Sequence, residues 1–418
     1  MTHDTTRQPT AGGLMTFREF VALMALLMAL TAMGIDVLLP ALPAIGADLG
    51  VTDGNRLQLL VYIYMFGFAA VQLVYGPLSD AIGRRPVLLA GIAIYLAGCA
   101  LAYVSTDFET LAAARLIQGV GAASARVLTV SIVRDRFGGR DMAQVMSFIM
   151  MVFIMVPVIA PAIGGAIIAV GEWHSVFASM FLLGAVAGLW YWWRMPETMH
   201  PEYRMPLSAS RIAGATALCF RQRTTIGYAT AMGLLQSCLM GYIGQAQQVF
   251  EGEVFGLGAW FPLAFGLLAL SIGIGSFINA RLVRRLGMRR LTHAAVIAAT
   301  AAAAVMLAVT AAFDGLPPLW LFGPALAVFN LAFALAMPNC NAMAMEPLGP
   351  IAGTASSLIG FYTTLMAALL GLAVGQSFDG TVLPMAVAFL VLCLATFAVI
   401  LWTERGRLFQ PARPDPAS

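Results

Sequence analysis

Gly76-Pro77-Leu78-Ser79-Asp80-Ala81-Ile82-Gly83-Arg84-Arg85 is echoed 204 residues later by Ala280-Arg281-Leu282-Val283-Arg284-Arg285-Leu286-Gly287-Met288-Arg289. In both, a small residue is followed by a three-residue gap, a charge, a two-residue gap, a glycine and an arginine. The offset is close to half of the 418 residues. Self-similarity at such a period predicts two comparable halves.

Each copy closes a charge-free apolar run, residues 57–79 in the first and 254–280 in the second. Similar runs cover 86–106, 142–171, 173–193, 224–250, 291–313, 315–345, 347–378 and 380–403. Two more are interrupted by charge: 20–47 contains Asp36, and 110–133 contains Arg115 and Arg126. A bilayer core takes about 20 apolar residues as helix. Open strands leave backbone groups unsatisfied in lipid, so helices are expected. The composition agrees: 60% of residues are hydrophobic and 10% charged, against about 25% charged in soluble domains. The expected fold is an all-α membrane protein with twelve transmembrane helices in two six-helix halves. The boundaries are a tail at 1–17, a first half at 18–195, a linker at 196–223, a second half at 224–404 and a tail at 405–418. The linker carries Pro196, Pro201 and Pro206.

All 23 basic residues are arginines. When the twelve spans alternate in direction, twenty arginines fall on one side and only Arg56 on the other. The positive-inside rule then puts both termini in the cytoplasm of a multi-pass inner-membrane protein. One missed span would scramble this asymmetry.

Asp36 is the only carboxylate well inside a span. Intramembrane acids are costly and face a cavity or a partner. Desolvation raises a carboxyl pKa and a nearby arginine lowers it. Asp36 therefore reads either as a proton carrier or substrate counter-ion, or as a permanently ionised partner of an arginine. In the fourth span, eleven residues at about 100° each bring Arg126 within about 20° of Arg115. Gln118 lies one turn from Arg115. Guanidiniums do not face lipid, so this stripe looks inward. Arg115, at the depth of Asp36, is its expected charge partner, and the two form the expected proton-coupling site. Substrate-lining candidates are Tyr62, Gln72, Gln118, Arg126, Gln236, Tyr242, Asn330 and Asn341; hydrogen bonding between helices is the competing reading for each.

Near the ends of spans, Gly76 and Gly83 permit a tight turn. Asp80 is expected to face the positive start of the eleventh span, near Gly353, with Arg134 as a cationic neighbour. Pro157 and Pro161 remove backbone donors one turn apart and predict a bend. Gly164 and Gly165 predict close packing. Five isolated cysteines and four dispersed histidines supply neither a disulfide framework nor metal-ligand spacing, so no metal and no cofactor are expected.

Several strings resemble the major facilitator superfamily. Gly76-x-x-x-Asp80-x-x-Gly83-Arg84-Arg85 is similar to its motif between spans 2 and 3. Arg115-x-x-Gln118-Gly119-x-Gly121 is similar to its span 4 motif, and Pro157-x-x-Ala160-Pro161-x-x-Gly164-Gly165 to its span 5 antiporter motif. Ser147, Val156 and Ala160 depart from the glycines usual in that last motif. Within the drug:proton antiporters, Asp36-x-x-x-Pro40, Gln72-Leu73-x-Tyr75-Gly76-Pro77, Val133-Arg134-Asp135 and Ala352-Gly353-Thr354-Ala355-Ser356-Ser357 resemble the Bcr/CflA (bicyclomycin and chloramphenicol resistance) group. The resemblance implies a monomeric, proton-coupled exporter of small drug-like molecules. It also implies gating by Gly76, Asp80, Gly83, Arg84, Arg85, Arg134, Pro157, Pro161, Gly164 and Gly165. Its partners would be substrate, protons and lipid, without nucleic acid. An exporter of a sugar, nucleoside or amino-acid derivative is the alternative. A membrane-embedded enzyme or sensor is disfavoured, because no phosphate loop or catalytic triad pattern occurs.

Overall fold

The computed structural model describes residues 15–200, 202, 209–252 and 254–410. The expected tails therefore fall largely outside the described residues. Fourteen α-helices occur among those described: α1 (Phe17–Asp36), α2 (Leu42–Asp48), α3 (Gly54–Ile82), α4 (Arg84–Tyr103), α5 (Phe108–Arg136), α6 (Gly139–Val170), α7 (His174–Arg194), α8 (Ala209–Arg221), α9 (Arg223–Ala246), α10 (Phe261–Leu286), α11 (Met288–Ala312), α12 (Leu319–Met345), α13 (Ala352–Gln376) and α14 (Leu383–Thr403).

Eleven helical segments of the described chain are long and apolar enough to cross a membrane. The twelfth span is α9, whose 24 residues also suffice in length. Its hydropathy is diluted by Thr224, Thr225, Gln236, Ser237 and Gln245. It packs against α12, α13 and α14, and these neighbours take up its polar groups. Thr225 donates to the Ala344 carbonyl at 2.9 Å, and Gln245 to that of Val374 at 2.5 Å.

Pairings within the two halves match one for one. In the first, α3 packs on α5, α4 on α5 and α7, and α1 on α5, α6 and α7. In the second, α10 packs on α12, α11 on α12 and α14, and α9 on α12, α13 and α14. The halves meet along α3 with α13 and along α6 with α10, again a pair exchanged by the repeat. The expected two-half, twelve-span architecture is therefore present.

Local chemistry sets the element ends. Pro40 carries no N–H for the Asp36 carbonyl four residues earlier, and its ring crowds that carbonyl. So α1 stops at Asp36, and a 3-10 turn, Leu39–Ala41, leads into α2. Asp107 caps α5 by accepting from the Thr110 amide at 2.8 Å. These bonds hold its carboxyl below the usual range. A single residue joins α3 to α4, Gly83 at φ 116°, and another joins α10 to α11, Gly287 at φ 80°. Only glycine takes such dihedrals without strain. These are the two glycines of the repeated sequence motif.

Arg84 and Arg85 form the first turn of α4, and α8 occupies thirteen residues of the expected linker.

Candidate functional site

Asp36 is buried at the last position of α1, and its Oδ1 has no hydrogen-bond partner. Tyr242 of α9, in the other half, lies within electrostatic reach of this carboxylate. The Tyr242 hydroxyl is likewise buried without a partner, and its ring stacks on Phe265 at 5.5 Å. An acid and a phenol from opposite halves are thus both buried with an unpartnered oxygen. Among the described residues Asp36 makes no ion pair.

The expected Asp36–Arg115 pair is not formed. Arg115 is fully buried and its guanidinium is caged by neutral groups. Nε donates to the Leu60 carbonyl at 3.1 Å and Nη2 to the Gly34 carbonyl at 2.7 Å. Nη1 donates to the Gln118 side chain. The Tyr64 ring lies 4.5 Å beneath the guanidinium, and Tyr64 donates to the Thr31 carbonyl at 2.9 Å. The fork geometry of arginine suits several acceptors at once. Arg115 thereby ties α1, α3 and α5 together, and it grips α1 two residues before Asp36.

The lining candidates divide. Gln118 and Asn330 are fully buried inside their own halves and do not line a cavity. Gln118 donates to Cys99 and Met180 sulfurs at 3.1 and 3.3 Å, and Asn330 donates to the Leu268 carbonyl at 3.3 Å. Tyr62 is buried between the halves and donates to the Met240 carbonyl at 3.2 Å. A Cβ on Gly244 would stand 2.0 Å from its hydroxyl, and one on Gly375 2.3 Å. Gln72 approaches Gly360 of α13, where an added Cβ would meet its Nε2 at 2.8 Å. Arg126 and Gln236 are half-buried and Asn341 exposed, so these three keep accessible polar groups. Arg126 lies 5.3 Å from the Phe153 ring centroid.

On the arginine-rich side, a Cβ on Gly76 would meet Ser357 Oγ of α13 at 2.7 Å, so α3 and α13 touch there across the halves. Asp80 pairs with Arg84 at 2.6 Å, and Arg84 also reaches Asp135 at 2.9 Å. Arg134 is exposed and is not the cation beside Asp80. The expected approach of Asp80 to Gly353 lies outside the described side chains. Arg85 donates to the Trp192 carbonyl at 2.7 Å. Pro157 and Pro161 lie within a continuous α6. A Cβ on Gly164 would meet the Val37 carbonyl at 2.2 Å, and one on Gly165 would meet Pro262 of α10 at 3.4 Å.

Sequence reasoning passed over Glu197. Its carboxylate accepts from the Arg84 and Arg85 amides at 2.9 and 3.1 Å, at the start of α4. In the second half Glu404 accepts from Arg289 Nε at 3.0 Å and Tyr228 at 2.6 Å. The two acids follow the last span of each half, 207 residues apart, close to the repeat offset that already pairs Arg85 with Arg289. That spacing was a usable signal.

A sequence profile described as Major Facilitator Superfamily matches residues 24–372. An uncharacterized MFS-type transporter, YdgK of Bacillus subtilis (strain 168), is 31% identical over 390 residues, covering 92% of this chain and 96% of the relative. A bicyclomycin resistance protein homolog of Haemophilus influenzae is 30% identical over 370 residues, covering 88% and 91%. The crystal structure of a D-xylose-proton symporter superposes with a TM-score of 0.72 at 15% identity, covering 93% and 99%. The last likeness speaks for the fold alone.

Proposed function

The chain belongs to the Major Facilitator Superfamily, and on that premise we propose that this transporter exports small drug-like molecules in exchange for protons. The single observation that carries the reading is Asp36: a buried carboxylate with an unpartnered oxygen, at the break of α1, within electrostatic reach of Tyr242 in the opposite half. A carboxyl group in such a place favours the neutral form unless a charge or water compensates it. Its protonation therefore depends on which side the halves open to. Protonation from outside would favour release of substrate outward; deprotonation toward the cytoplasm would reset the site. Arg126, Gln236 and Asn341 offer polar groups for substrate between the halves. The arginine-rich loops face the cytoplasm of a bacterial inner membrane in this reading. The bicyclomycin resistance homolog supports a drug-like substrate.

The test is uptake of radiolabelled bicyclomycin and chloramphenicol into everted vesicles, with and without a pH gradient. Uptake should require the gradient, and Asp36→Asn should abolish it while the protein still inserts. Gradient-driven uptake by Asp36→Asn at normal expression would move the proton site elsewhere. Uptake of neither drug, with export of a sugar, nucleoside or amino-acid derivative instead, would replace the substrate assignment.

A further inference from the structure

Away from the arginine-rich loops, the seam between α6 and α10 holds a groove of about 720 Å³ with an exposed Leu263 and Leu267 wall. That size suits a small organic ligand. Ala162 and Gly165 of α6 form one wall, and Leu263 and Leu267 of α10 the other, with Trp260 at the mouth. Trp260, Leu263 and Leu267 are all exposed. Glu251 also lines the groove, from the single π-helical turn Gln247–Glu251 that follows α9. Among the described residues it is the only charged one in the lining. Its Oε2 is buried and has no hydrogen-bond partner, and among the described residues Glu251 makes no ion pair. Burial pushes its carboxyl above the ordinary range, against a hydrogen bond from the Gln247 side chain, and a cation beside it favours the ionised form.

A carboxylate in this position lacks a countercharge, and an apolar groove open to the bilayer admits an alkyl chain beside it. We propose that the groove binds a single-chain organic cation, an alkylammonium entering from the outer leaflet, with its head on Glu251 and its chain between α6 and α10. Charge complementarity selects this occupant. A zwitterionic phospholipid also brings an amine, but among the described residues the lining holds no basic group to meet its phosphate. A neutral amphiphile leaves the carboxylate unmatched. The Trp260 face adds a cation–π surface for a quaternary head. From Pro262 to Leu270 the α10 wall runs about 12 Å, enough to shelter a medium-length chain. Asp36 does not line the groove, and binding there does not depend on the direction or driving force of transport.

The test uses the full-length protein in phosphatidylglycerol nanodiscs and a diazirine-bearing dodecyltrimethylammonium photoprobe, with adducts mapped by mass spectrometry. Adducts are expected within residues 162–169 and 259–270. Cetyltrimethylammonium should compete; dodecanol, and partial replacement of the lipid by phosphatidylethanolamine, should not. Glu251→Gln should cut labelling about tenfold. Leu267→Trp should do the same by filling the groove with the carboxylate intact, which guards against misfolding of the first variant. Labelling that is indifferent to Glu251→Gln, or concentrated elsewhere, overturns the proposal. Competition by phosphatidylethanolamine overturns it in favour of a lipid, and competition by dodecanol in favour of a merely apolar cleft. Binding is read without transport, so a failure of drug export in everted vesicles would leave this outcome intact.

Discussion

Arg115 shows how a single residue changes role between sequence and structure. A charged donor set that fits carbonyls of α1 and α3 and an amide of α5 is a cross-brace. Removing it leaves the Gly34 and Leu60 carbonyls without their donor. An unsatisfied buried acceptor costs about 1–3 kcal/mol. Arg115→Gln should therefore lower the melting temperature of the purified protein, and Arg115→Lys, with charge but no fork, should restore only part of it. The pH optimum of residual transport should stay where it is. A shifted optimum with an unchanged melting temperature would restore Arg115 as the group that tunes Asp36.

The small residues of α5 act at the scale of whole elements. A Cβ on Gly119 would stand 2.0 Å from the Tyr64 carbonyl of α3, and one on Gly121 would stand 2.2 Å from the Tyr95 amide of α4. Backbone lies on the far side of both contacts, so no side chain can rotate away. Either alanine must push a helix outward, and overpacking of this kind costs about 1–3 kcal/mol. Gly119→Ala and Gly121→Ala should each lower the melting temperature in detergent. Gly214→Ala in α8 meets nothing within 4 Å, and should leave stability unchanged or slightly raised. Equal melting of all three variants would mean that α5 does not set the spacing of the first half.

The two halves also hold each other at the end away from the arginine-rich loops. Asn55 at the start of α3 donates to the Phe378 carbonyl at 3.0 Å, and its own carbonyl accepts from Gln376 at 2.7 Å. Its side-chain oxygen accepts from Gln248 at 3.2 Å. Tyr62, seated against Gly244 and Gly375, closes the same face one layer deeper. Asn55→Ala removes the two side-chain bonds, each worth about 1 kcal/mol net. A loss of about 1.4 kcal/mol moves a two-state equilibrium tenfold. Cysteines placed behind Tyr62 should then react faster with a membrane-impermeant maleimide added from that side. An unchanged rate would show that the polar contacts do not hold this face closed.

Hydropathy, arginine placement and the repeat around Gly83 and Gly287 determined the number of spans, the two halves and the unique intramembrane acid. Those signals are local or periodic, and a bilayer leaves few alternatives to a helix. The break of α1 at Asp36, inside the expected 20–47 run, came from the structure, although the missing donor of Pro40 acts four residues back along the chain. Partner choice belonged to the tertiary structure. Helical periodicity assigns Arg115, Gln118 and Asn330 to an inward face, but it does not say which neighbour covers that face. The folded chain brought carbonyls to Arg115, Arg84 to Asp135, and Glu197 to the start of α4. Each of those meetings depends on helix packing between residues distant in sequence, and side-chain chemistry alone does not choose among the available partners.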